Sequence, residues 1–179
     1  MELLGLIFIF ALRFLIPLSI FRWPLWGGVA SLVADALDTN IVKPFGADIP
    51  NYIVVDKFLD IYYLSIELIV SLSWFNRLAK NTSIVLFVLR TFGFLAFFVT
   101  NNEFWLFTAP NLFENFFLFY LILLTLKIET RNKIWLNSYK RLAVSLLLLF
   151  VSKLPQEITL HLWKVPFPLE TFFSWLKNL

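Results

Sequence analysis

At 179 residues, 60% hydrophobic, with 22 phenylalanines and a mean hydropathy of +0.80, the chain has the composition of a membrane protein and not of a soluble domain. It contains no cysteine, which excludes disulfides and thiolate metal sites. Its net charge of +3 comes without a clustered basic patch, so nucleic acid is not an expected partner.

A helical span needs about 20 mainly apolar residues. Six segments meet that need, at 3–21, 24–42, 52–75, 82–100, 110–127 and 140–154. The expected fold is all-α: a six-helix transmembrane bundle over residues 1–154, multi-pass and integral to the membrane. The runs are continuous, not alternating, which argues against a barrel. The first segment begins with Glu2, reaches its first cation only at Arg13, and lacks a small-residue cleavage site, so it reads as a retained span and not a secretory signal. In the second, Gly27, Gly28, Ser31 and Ala34 make a small-residue face suited to helix packing. Pro44, Gly46 and Pro50 then break the chain and fold the third span back against the second.

Pro110, Asn111 and Glu114 open the fifth span, which has an alternative start near Phe104. Asn111 reads as an N-cap and Glu114 as an acid suited to the helix dipole, or else as part of a central polar site. Residues 155–179 mix aromatic and charged side chains with Pro155, Pro166 and Pro168, as expected of an amphipathic interfacial segment. Its histidine, His161, reads as a solvated polar tip there. Trp23, Trp26, Trp74, Trp105, Trp135 and Trp163 all fall near span ends, where amphipathic rings favour the membrane–water interface.

Sorting the cations by loop orients the bundle. Arg22, Arg77, Lys80, Lys127, Arg131, Lys133, Lys140 and Arg141 fall on one side; Lys43, Lys153, Lys164 and Lys177 fall on the other; Arg13, Lys57 and Arg90 fall within spans. The positive-inside tendency places the first, third and fifth loops in the cytoplasm, and both termini outside.

Acids inside spans are the sequence's main functional signal. A carboxylate near mid-membrane costs roughly 2.5–3.5 kcal/mol unless it is paired, so it marks a site by default. Asp35 and Asp38 are three residues apart, Asp56 and Asp60 four apart, and each pair shares one helical face. Tyr63 and Glu67 extend the second stripe, and Lys57 lies beside it as an internal cation. Converging carboxylates repel one another, and Mg²⁺ or Mn²⁺, which take oxygen ligands, would neutralise them.

Asp-x2-Asp, seventeen residues, then Asp-x3-Asp resembles the signature of the CDP-alcohol phosphotransferase family, D-x2-D-G-x2-A-R-x8-G-x3-D-x3-D, with all four aspartates in register. Length and six-span architecture resemble that family too. The resemblance implies Asp35, Asp38 and Asp56 as metal ligands, Asp60 as the catalytic carboxylate that activates an acceptor hydroxyl, and transfer of a phosphoalcohol group from a CDP-linked donor in phospholipid biosynthesis. Lys43, Lys57, Arg90 and Glu67 are the candidate substrate-binding residues. The pattern's glycines are Thr39 and Tyr52 here, and its Ala-Arg is Val42-Lys43. Side chains at the glycine positions narrow the approach of a nucleotide, and lysine lacks the bidentate fork of arginine. The charge count also puts this loop outside, whereas the family's site faces the cytoplasm.

Three readings result. One is a metal-dependent transferase acting on a lipid or lipid-linked small molecule. Another is a receptor or carrier whose phenylalanine-lined cavity and carboxylates take a hydrophobic or cationic small molecule. The last is a structural subunit of a membrane complex, with the aspartates paired to Arg13, Lys57 and Arg90. A second copy of the chain is a further candidate partner.

Overall fold

The computed structural model describes the backbone of residues 2–42, 52–102 and 104–157, and the side chains of 10–36, 55–102 and 104–154. These residues form helices and turns, with no strand among them. Helix α1 (Glu2–Leu18) is an apolar run with Pro17 in its last turn. A proline ring removes one backbone N–H and crowds the preceding turn. The chain tightens there into a 3-10 turn at Ser19–Phe21, where Ser19 Oγ donates to the Ile16 carbonyl at 2.6 Å. Helix α2 (Pro24–Val42) starts on Pro24, whose missing N–H and fixed φ suit a first helical position. A Cβ on Gly27 would lie 2.6 Å from the Ile20 backbone nitrogen, so the small-residue face serves close packing of α2 on that turn.

Helix α3 (Tyr52–Ser71) ends earlier than its expected span, because the chain turns at Ser71, whose carbonyl accepts the Trp74 N–H at 3.1 Å. Helix α4 (Arg77–Thr100) begins earlier than expected because Asn76 caps it, its Oδ1 accepting from Leu78 N at 2.9 Å and Ala79 N at 3.3 Å. It ends at Asn101, whose φ of 51° is the left-handed conformation that asparagine tolerates. A short α5 (Phe104–Thr108) leads into α6 (Leu112–Thr125), and α7 (Tyr139–Glu157) follows a longer loop. The interfacial segment expected at 155–179 falls outside the residues whose side chains are described.

Helix α6 is the axis of the core. Phe113, Phe116, Phe117 and Tyr120 are fully buried, and α6 packs against α2, α3, α4 and α7. Trp74 departs from the interfacial expectation. It is only 7% exposed, with its ring 4.2 Å from Tyr120 and stacked on Phe117, because the tight α3–α4 turn folds it inward. Lys153 departs as well, since it is buried in α7 with its Nζ 3.9 Å from Glu114 Oε2, and so is no loop cation.

The loop between α6 and α7 is held by Glu129, a residue with no sequence signal of its own. Its Oε2 accepts the N–H groups of Trp135 at 2.7 Å and Leu136 at 2.9 Å. Its Oε1 accepts from Asn76 Nδ2 at 2.6 Å and the Tyr120 hydroxyl at 3.4 Å. One buried carboxylate thus joins the loop, α6 and the cap of α4.

Polarity is partly inverted in α4. Val85, Val88, Phe92, Leu95 and Val99 face outward and exposed, while Ser83 and Arg90 are buried. Among the described residues, Arg77–Thr100 and Phe104–Thr125 are long and apolar enough to cross a membrane. Helix α3 carries four charged residues, Asp56, Lys57, Asp60 and Glu67. Helices α4 and α5 meet at Gly93, where a Cβ would come 2.4 Å from Ala109 Cβ and 3.0 Å from the Trp105 carbonyl. Neither neighbour can swing aside, so Gly93→Ala is expected to destabilise the protein by about 1–3 kcal/mol. Thermal melting in detergent micelles checks this, and an unchanged midpoint would contradict it.

Candidate functional site

Three helices supply one charged cluster. Asp35 comes from α2, Asp56 and Asp60 from successive turns of α3, and Arg13 from α1. The α3 spacing of four residues puts both of its carboxylates on the face turned toward α1 and α2. One oxygen from each of Asp35, Asp56 and Asp60 lies within 4.8 Å of the others. The sequence thus correctly indicated that acids of the second and third segments meet.

Arg13 sits among them as a hub. Its Nη1 donates to Asp56 Oδ1 at 2.6 Å, and its Nη2 donates to Asp60 Oδ1 at 2.9 Å and to Asp35 Oδ1. Lys57 closes the other side, its Nζ 2.7 Å from Asp56 Oδ2 and 2.9 Å from Asp60 Oδ2. Asp60 is therefore held at both oxygens by cations. Side-chain exposure rises from 7% at Asp60 through 19% at Asp56 to 32% at Asp35, so the cluster opens toward α2. Three carboxylates against two cations leave this group one negative charge in excess, in surroundings that screen it poorly. The planar guanidinium fork suits such multiple contacts better than a lysine would.

The remaining candidates divide. Arg90 is buried in α4 and donates to the Ala109 carbonyl at 2.9 Å and the Leu106 carbonyl at 3.4 Å, closing the end of α5 while staying within electrostatic reach of Asp60. Glu67 lies seven residues beyond Asp60 on α3, fully buried, and makes no hydrogen bond to the aspartates. Asp38 follows Asp35 by one turn of α2, but its side chain lies outside the described residues, as do those of Thr39, Val42 and Tyr52; Lys43 lies outside them altogether. Asn111 occupies the N-cap position of α6 without capping through its side chain, because its Nδ2 donates to Glu114 Oε2 at 2.8 Å. Glu114 stands in the first turn of α6, as its helix-dipole reading expected, and is buried there.

An apolar groove of about 590 Å³ runs between α6 and α7, lined by Phe119, Trp135, Val144 and Leu148 with Lys140 and Arg141. No acid is among the residues that line it.

The donor set of the cluster suits a hard divalent cation. It offers carboxylate oxygens only, the donors such an ion takes, and Arg13 holds one oxygen of each aspartate in their present arrangement. The cations beside it suit a phosphate. The chain matches no known family, no curated protein and no solved structure.

Proposed function

We propose that the chain is a multi-pass integral membrane protein in which six helices form a transmembrane bundle around a metal-dependent phosphotransferase site acting on a phospholipid precursor. One observation carries this reading: Asp35, Asp56 and Asp60 meet within 4.8 Å with Arg13 and Lys57 among them. Acids for a divalent cation and bases for a phosphate then occupy one place, the combination phosphoryl transfer needs. The outward-facing apolar side of α4 supports the membrane setting.

In this reading Asp35, Asp38 and Asp56 hold Mg²⁺ or Mn²⁺, which supplies positive charge against the phosphate oxygens. Arg13 and Lys57 take the phosphate by charge-assisted hydrogen bonds. Their departure from Asp60 frees its carboxylate to accept the proton of an acceptor hydroxyl. Arg90 and Lys43 stand as further phosphate contacts. Thr39 and Tyr52 stand where the family has glycines, so a CDP-linked donor is held less closely there in this reading.

A structural reading is favoured by a different observation, the bonding of Arg13 to all three aspartates. The cluster would then be interhelical glue binding no metal. An assay separates the two. Purified protein supplied with a CDP-linked lipid donor, small alcohol acceptors and Mn²⁺ is expected to release CMP, and Asp60→Asn to lose at least about a hundredfold of that rate. Absence of release with every acceptor, beside a full loss of folding in Arg13→Met, would leave the structural reading.

A further inference from the structure

A second group of oxygens lies deeper along α3. Glu67 is 0% exposed, and neither of its carboxylate oxygens has a hydrogen-bond partner. The same holds for the Tyr63 hydroxyl, one turn earlier on that face, and for Oε1 of Glu114 on α6. Tyr63 lies within electrostatic reach of both acids, and its hydroxyl comes up against the Glu114 carboxylate. Glu114 uses its other oxygen, which accepts from Asn111 Nδ2 at 2.8 Å and faces Lys153 Nζ at 3.9 Å. Space beside Glu67 is preserved by Gly28 of α2, where a Cβ would lie 3.5 Å from Glu67 Oε1 and 2.9 Å from Leu118 Cδ2.

Buried polar atoms are almost always partnered, so four orphaned oxygens beside fully buried phenylalanines need an occupant. Charge sets its sign and size. Glu67 and Glu114 have Lys153 as their one ion-pair partner among the described residues, two acids against one base. One positive charge is wanting. A proton on Glu67 would supply the charge but satisfies one oxygen at a time. A small cation takes several oxygens at once. Carboxylate and hydroxyl oxygens suit a hard ion, and a single missing charge suits a monovalent one.

We propose that Tyr63, Glu67 and Glu114 form an inner site that binds one alkali cation of the sodium kind in the middle of the bundle. This site does not rest on the phosphotransferase reading, since no described hydrogen bond links it to the aspartates. Ionisable residues so deep between membrane helices are the ordinary mark of ion sites.

The test is thermal melting of the purified protein in detergent at fixed pH and ionic strength, with sodium chloride exchanged for choline chloride. Sodium is expected to raise the melting temperature saturably, by several degrees, in the wild type and in Asp56→Asn. Glu67→Gln, nearly isosteric and without the charge, should melt at or above the sodium-free wild type and ignore sodium. A wild type indifferent to sodium, including one whose stability answers only to pH, overturns the proposal, as does a sodium response retained in Glu67→Gln. Should that variant not fold, binding of radioactive sodium by the wild type decides, with saturable uptake supporting the site and its absence removing it.

Discussion

Arg13→Met is expected to lower stability by about 3–5 kcal/mol, since it removes the shared partner of three acids and leaves Asp35 without the ion pair described for it. Methionine keeps much of the apolar stem, so the loss reports charge more than volume. The effect should be non-additive. Arg13→Met combined with Asp56→Asn and Asp60→Asn should recover part of the loss, because the triple variant no longer buries those unpaired charges, with coupling of about 0.5–3 kcal/mol. Denaturant titration in mixed micelles measures the cycle. Strict additivity would mean that the Arg13 contacts contribute little to the folded state.

Glu129→Ala is expected to cost about 4 kcal/mol or more, beyond what most single substitutions do. It strips the N–H groups of Trp135 and Leu136 and the amide of Asn76 of their acceptor at once. Each buried donor left unmet costs about 1–3 kcal/mol. Asn76 keeps its bond to the Leu136 carbonyl but loses the other of the two contacts that hold its amide while it caps α4, so the damage reaches a second helix. Glu129→Gln keeps one acceptor oxygen and should cost roughly half as much. Thermal melting and hydrogen exchange at Leu78 and Ala79 read both effects; protected amides there in Glu129→Ala would contradict the linkage.

Local pattern revealed the helices and the meeting of the acids. The apolar runs mark α1, α2, α3, α4, α6 and α7, and periods of three and four put Asp35 and the Asp56/Asp60 pair on faces that meet. Arg13 was legible by the same logic as the aspartates, as a cation inside an otherwise apolar run. Its place at the hub was not, because that depends on how α1 crosses α2 and α3. Glu129 looked like any loop acid, and its burial arises from partners 53 residues earlier at Asn76 and seven later at Leu136. Lys153 and Glu114 likewise explain each other only once α6 and α7 pack, and Trp74 turns inward because the chain reverses at Ser71. Crossing of the membrane by all six helices belongs to the proposal, since only Arg77–Thr100 and Phe104–Thr125 are long and apolar enough to cross among the described residues.

The most direct measurement is a titration of purified protein with Mn²⁺ followed by the electron paramagnetic resonance signal of the free ion. Saturable loss of that signal in the wild type, abolished in Asp56→Asn while both remain folded, is the expected result for a divalent site on Asp35, Asp56 and Asp60. A wild-type signal that tracks added Mn²⁺ without loss, or equal binding in both proteins, would contradict it and leave the aspartates as partners of Arg13 and Lys57 alone.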